Sequence, residues 1–274
     1  MGTKTSNCSL LMAAVIILAQ PVTCGAQVTS VQEEHWLNSP AASSHIGNLT
    51  GDAKRATLPY RRFCVGCHGE LGDGNGEVAQ WLDPKPRDFT KAVFKCRSTP
   101  TGTLPTDEDL FDTIARGLDR SNMPPWNTFT KEERADLVAW IKHFSPRWQT
   151  EKPGTPITIP PEPPSTPDSV KRGAELFQSM NCWACHGKGG RGNGPSAASL
   201  TDSEGYPITP FDFTSGRRFK CGDSDQAMFR DLVTGLDGTP MAAFSKAMKP
   251  DQMWDVVHYI RTLSASKNRS VESQ

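Results

Sequence analysis

Cys64, Cys67 and His68 place two thiols and an imidazole within five residues, in the stretch RFCVGCHGELGDGNG. Three chemistries use such a set. Zinc takes thiolate and imidazole ligands in a tetrahedron, and a C-x-x-C pair can cycle between dithiol and disulfide. The third is C-x-x-C-H as the attachment signature of c-type haem: the thiols bond to the porphyrin and the imidazole ligates the iron. The set returns as CWACHGKGGRGNG at Cys182, Cys185 and His186. A redox C-x-x-C has no use for a histidine at the same offset twice, and it belongs in a βαβ setting. Zinc could add Cys96 to the first set and Cys221 to the second, giving Cys₃His. The adjacent Cys67 and His68 suit one tetrahedral ion poorly, so a Cys₃His zinc protein is kept as the minor alternative and haem is favoured.

Haem needs a second axial ligand, and spacing supplies a candidate. Met123 follows His68 at the same distance as Met241 follows His186 (123 − 68 = 241 − 186 = 55). The equality survives a longer segment between His186 and Cys221 than between His68 and Cys96. Each methionine lies behind a Gly-Leu-Asp turn beside a proline, Pro124 or Pro240, whereas Met228 and Met253 fall on helical stripes and read as core. The expected iron ligands are therefore His68, Met123, His186 and Met241, with Cys64, Cys67, Cys182 and Cys185 as attachment points. His/Met ligation fills the iron and raises its potential, which favours electron transfer over substrate binding.

The elements that must position these residues also come in pairs. DFTKAVFKC at Asp88 is answered by DFTSGRRFKC at Asp212, GLDRSNM by GLDGTPM, and LVAWIKHF by VVHYIRTL, in the same order. This is a tandem duplication of a domain of ordinary size. The fold class expected is all-α, with a helix running into each C-x-x-C-H. A second helix starts at Thr106, with Asp109 completing a capping box, and its counterpart starts at Asp223 with Gln226. The last helices start at Thr130 and Pro250. Their apolar stripes are Leu110, Ile114 and Leu118; Met228, Leu232 and Leu236; Leu137, Ile141 and Phe144; Met253, Val257 and Ile260. No alternating strand pattern is evident. His35 and His45 read as solvated, and His143 and His258 as surface residues of the last helices. The Gly-rich GDGNG and GRGNG follow no predicted strand, so a nucleotide cradle is not expected.

The expected division is 1–26 signal peptide, 27–52 surface arm, 53–148 first domain, 149–167 linker, 168–266 second domain and 267–274 tail. The signal reading rests on Lys4, the apolar run Cys8 to Ala19, the break at Gln20-Pro21 and the small residues Cys24-Gly25-Ala26. Lipoprotein anchoring through Cys24 is disfavoured because Pro21 stands where such sites want Leu. No transmembrane anchor is expected after cleavage, and the mature chain is expected to be periplasmic. Prolines in SPRWQTEKPGTPITIPPEPPSTPD favour an extended spacer. Lys plus Arg and Asp plus Glu are both 30, so charge gives no case for nucleic acid.

Each half resembles a class I c-type cytochrome: N-terminal helix, C-x-x-C-H, Gly-rich loop, methionine loop, and a C-terminal helix bearing an aromatic, Trp140 or Tyr259. The pair, over about residues 53–266, resembles the tandem dihaem cytochromes of bacterial respiratory chains. The resemblance implies two covalently bound haem c groups and single-electron relay between a redox protein donor and acceptor, as a free carrier or as a subunit of a respiratory complex. It also makes Pro86 and Pro210 candidates to support the haem histidines. The reading is non-enzymatic; the alternative is a dihaem enzyme of peroxidase or thiosulfate-oxidising type with one unusually ligated haem. Cys96 and Cys221 fall outside the family pattern. Their equivalent places after Phe-Lys predict one disulfide joining the domains, with free buried thiols or thiolate ligation of iron as alternatives.

Overall fold

A computed structural model describes the backbone of residues 42–271 and the side chains of residues 42–264. The expected signal peptide, Cys24 and His35 lie outside the described residues. Two strands, β1 (Ser43–Ile46) and β2 (Leu49–Asp52), pair antiparallel, with Ser43 opposite Asp52 and Ile46 opposite Leu49. This corrects the absence of strands; of the expected arm over 27–52, residues 27–41 lie outside the described residues and 43–52 form this hairpin. Four-residue strands reading SSHI and LTGD carry no apolar alternation, and an isolated hairpin is marginal. Long-range bonds hold this one: Ser44 Oγ donates to the Ala135 carbonyl at 2.7 Å, and the Asp52 N–H donates to Asp136 at 2.8 Å. His45 is exposed, as expected, and its backbone N–H donates to Asp107.

Helices follow in matched sets. In the first half these are α1 (Ala53–Phe63), the short α2 (Val65–His68), α3 (Asp107–Arg116), α4 (Lys131–His143) and the one-turn α5 (Arg147–Thr150). In the second they are α6 (Pro167–Ser179), α7 (Cys182–His186), α8 (Asp225–Thr234) and α9 (Pro250–Val271). Capping boxes begin α3 at Thr106 with Asp109, as expected, and α4 at the expected Thr130, where Glu133 completes the box. The cap of α8 is Ser224, one residue past the expected Asp223; the Asp223 carboxylate accepts instead from the Phe219 N–H. Leu110, Ile114, Leu137, Ile141, Met228, Leu232, Met253, Val257 and Ile260 are buried, while Leu118, Phe144 and Leu236 are half-buried. Helix α9 continues through residue 271, past the expected start of the tail.

In each half the first helix packs against the last long one, α1 on α4 and α6 on α9. Tyr60 meets Trp140 at 5.7 Å between ring centroids, and Phe177 meets Tyr259 at 5.4 Å. Beside these contacts Arg55 grips Asp136 and Arg172 grips Asp255, both through two nitrogens. His258 is 2% exposed, which corrects its surface placement. It is buried because polar partners reach it: the Ser169 hydroxyl at 3.0 Å, and Glu162 of the linker at 3.5 Å. His143 is half-buried, stacked on Trp140 at 5.0 Å, again not a surface residue. The proline-rich linker is extended and pinned to both halves. Gly154 and Ile157 donate to Leu104 and Ser98, and Ile159 packs on the second core. Among the described residues no helix is long and apolar enough to cross a membrane.

Candidate cofactor sites

The Gly-rich loops close around the C-x-x-C-H turns. Gly74 and Gly76 donate their N–H groups to the carbonyls of His68 and Cys67; Gly192 and Gly194 do the same for His186 and Cys185. The approach is too close for a side chain, since a Cβ at Gly76 would lie 2.3 Å from the Gly66 carbonyl oxygen. The glycines thus fix the turn that presents the two thiols.

Each histidine is then oriented from behind. His68 Nδ1 lies 3.1 Å from the Arg87 carbonyl, and His186 Nδ1 lies 3.1 Å from the Phe211 carbonyl. The acceptor is the residue after the expected Pro86 or Pro210, a one-position correction. Nδ1–H donation leaves Nε2 as the electron-pair donor. Phe89 and Phe213 stack on the imidazoles at 4.4 and 4.6 Å. Burial lowers both histidines, His68 to about 4, so the rings stay neutral. Burial likewise pushes the Cys64 thiol up to about 12 and Cys182 to about 11.

The methionine loops have one construction in both halves. The carbonyl of Met123 accepts from the Leu118 N–H at 3.0 Å, and that of Met241 from Leu236 at 3.0 Å. Their N–H groups donate to the hydroxyls of Ser121 and Thr239, each at 3.2 Å, and those hydroxyls donate to the carbonyls of Leu118 and Leu236. Cys64, Cys67, His68 and Met123 line one cavity, and Cys182, Cys185, His186 and Met241 line another. All eight expected site residues are therefore collected, four to each cavity.

The remaining thiols are joined. Cys96 and Cys221 form a disulfide with Cα atoms 5.1 Å apart, as the repeat predicts. That bond takes Cys96 and Cys221 out of both Cys₃His sets, and the described residues hold no group of three or more metal-ligating side chains. The zinc alternative and thiolate ligation of iron are corrected on this ground. Sequence reasoning missed the stacked phenylalanines and the hydroxyls that lock the methionines. The repeated DFT, and a Ser or Thr two residues before each Met, were the available signals.

Comparison with known proteins agrees with this geometry. A cytochrome c family model matches residues 170–264, and the model for cytochrome c oxidase, cbb3-type, subunit III matches residues 51–141. One solved relative is a chain of the Kuenenia stuttgartiensis reducing HAO-like protein complex, 40% identical, with TM-score 0.75, covering 77% of this chain and 96% of that one. The chain belongs to the c-type cytochromes. No curated protein matches it. In this cytochrome two haem c-binding, electron-transfer domains stand in tandem within a mostly helical fold, and the residues fit the group. Each cavity offers a neutral imidazole with one ring nitrogen to donate, a thioether on a fixed loop, two thiols at the turn, and largely apolar walls.

Proposed function

We propose that this cytochrome is an exported dihaem carrier that relays single electrons between redox proteins, working as the electron-transfer subunit of a larger oxidoreductase. In this reading Cys64 and Cys67 attach one haem c and Cys182 and Cys185 the other. His68 with Met123, and His186 with Met241, hold the irons. An iron held by imidazole and thioether exchanges one electron and keeps no open position for substrate. What carries the proposal is the duplicated cavity, each copy lined by a C-x-x-C-H and a methionine fixed by the same three hydrogen bonds. The bonded state of Cys96 and Cys221 supports a carrier over a dihaem enzyme with a cysteine-held iron. The solved relative, which belongs to an HAO-like protein complex, supports the subunit role.

The test is production with periplasmic c-haem maturation, followed by haem counting and EPR of the oxidised protein. Two haems per chain that stay on the polypeptide in a denaturing gel, both low-spin, are expected. Haem that acid acetone extracts, or a high-spin iron, would overturn the carrier reading.

A further inference from the structure

The two cavities reach one seam between the domains. Lys95, Lys220, Ser121, Asn122 and Pro84 line both of them. Lys95 and Lys220 are equivalent positions of the repeat, each directly before one half of the disulfide, so the Cys96–Cys221 bond brings the two lysine-bearing segments together. Arg87 adds a cation to the wall of the first cavity, and Arg120 and Arg217 to that of the second.

The seam's positive charge is poorly matched. Arg87 reaches Glu204 only at 3.9 Å, and Arg120 lies 5.0 Å over the Phe211 ring. Neither lysine has a hydrogen-bond or ion-pair partner among the described residues. Burial, then the charges of Arg87 and Lys220, push Lys95 down to about 8. Burial, then Arg120 and Arg87, lowers Lys220 too. The carboxylates of Asp83, Asp202 and Glu204 act on these lysines more weakly than burial does. Half-buried cations whose counter-charge is weaker than the cost of burial favour an added anion.

We infer that this seam is a shared carboxylate site in which Lys95 and Lys220 pair with propionate groups from both haems. The inference rests on the reading that each cavity holds a haem c. Positive charge beside a haem opposes the extra positive charge of ferric iron, so these lysines raise the potential of whichever haem they face. Because each lines both cavities, each acts on both irons.

Redox titration of the holoprotein tests this, using Lys95→Gln and Lys220→Gln, with Lys95→Met as a second variant that keeps the apolar stem. Titrations run with and without inorganic phosphate. With two haems counted per chain, every variant is expected to lower both midpoint potentials, equally in the two buffers. Arg217→Gln, on the second cavity alone, shifts at most one. A lysine variant that moves one potential or none, with both haems in place, overturns the shared site and leaves the dihaem reading intact. Shifts confined to phosphate buffer also overturn it, since the seam would then serve a free anion. Fewer than two haems in the parent protein overturns both.

Discussion

At Met123 and Met241 a thioether is presented by a loop that has little freedom to present anything else. A flexible methionine is a gap-filler; these two are fixed at the backbone, through the Leu118 and Leu236 N–H groups and the Ser121 and Thr239 hydroxyls. The loop residues differ, Arg-Ser-Asn before one methionine and Gly-Thr-Pro before the other, yet the hydrogen bonds coincide. We expect Met123→Ala and Met241→Ala each to remove one of two contributions to the sulfur-to-iron band at the red end of the oxidised spectrum. Each should lower one potential and leave the other, because thioether ligation favours ferrous iron. Absorption spectra with a redox titration read both effects; an unchanged band in either variant would disprove that ligand. The place of the methionines in the two cavities was legible because spacing survives when neighbouring residues drift. The stacked Phe89 and Phe213 were missed: the repeated DFT marked them, but packing against an imidazole leaves no mark on their spacing from the histidines.

Elements with local signals were legible in the sequence, and those held by distant contacts were not. Thr106 and Thr130 start their helices because the side chains that satisfy the first turn lie three residues away. The β1–β2 hairpin exists because α4 accepts its hydrogen bonds, with partners 84 and 91 residues distant in sequence. His258 was misplaced for the same reason, as Ser169 and Glu162 come from elsewhere in the chain. The helix crossings show a finer asymmetry. Gly173 on α6 sits where a Cβ would lie within hard contact of the Asp255 carbonyl, whereas α1 carries the buried Ala56 one turn before Tyr60. Glycine in a helix costs about 1 kcal/mol against alanine, so Gly173 is kept for the closeness of α9. Gly173→Ala should therefore destabilise the protein by about 1–3 kcal/mol, as overpacking does, despite its better propensity. Denaturant unfolding followed by far-UV circular dichroism checks it, and a stabilised variant would show that the crossing relaxes freely.

Across the whole molecule, the two cytochrome domains are joined by more than chain. The linker runs along both, and Arg97, fully buried, donates to the Thr234 carbonyl at 2.7 Å and pairs with Asp237 at 2.8 Å. Asp237 also accepts from Thr101 and Gly102, so it binds three groups of the other domain. The repeat foretold the disulfide, because Cys96 and Cys221 hold equivalent places in two copies that pack against each other. It could not foretell Arg97, whose counterpart after Cys221 is Gly222 and has no side chain to return. The Cys96–Cys221 bond spans 125 residues of sequence. Closing a loop that long restricts the unfolded chain strongly, and loss of a native disulfide typically costs about 2–5 kcal/mol. The Cys96→Ser/Cys221→Ser double variant should lose that much in guanidinium unfolding while keeping both haems, since neither cysteine attaches one in this reading. The serine pair is the right comparison, because a chemical reductant would also change the irons. The Arg97–Asp237 contacts remain in the variant, so its domains should stay docked until the main transition. A separate early transition would instead make the disulfide the main clasp between domains, and an unchanged midpoint would show that it constrains nothing.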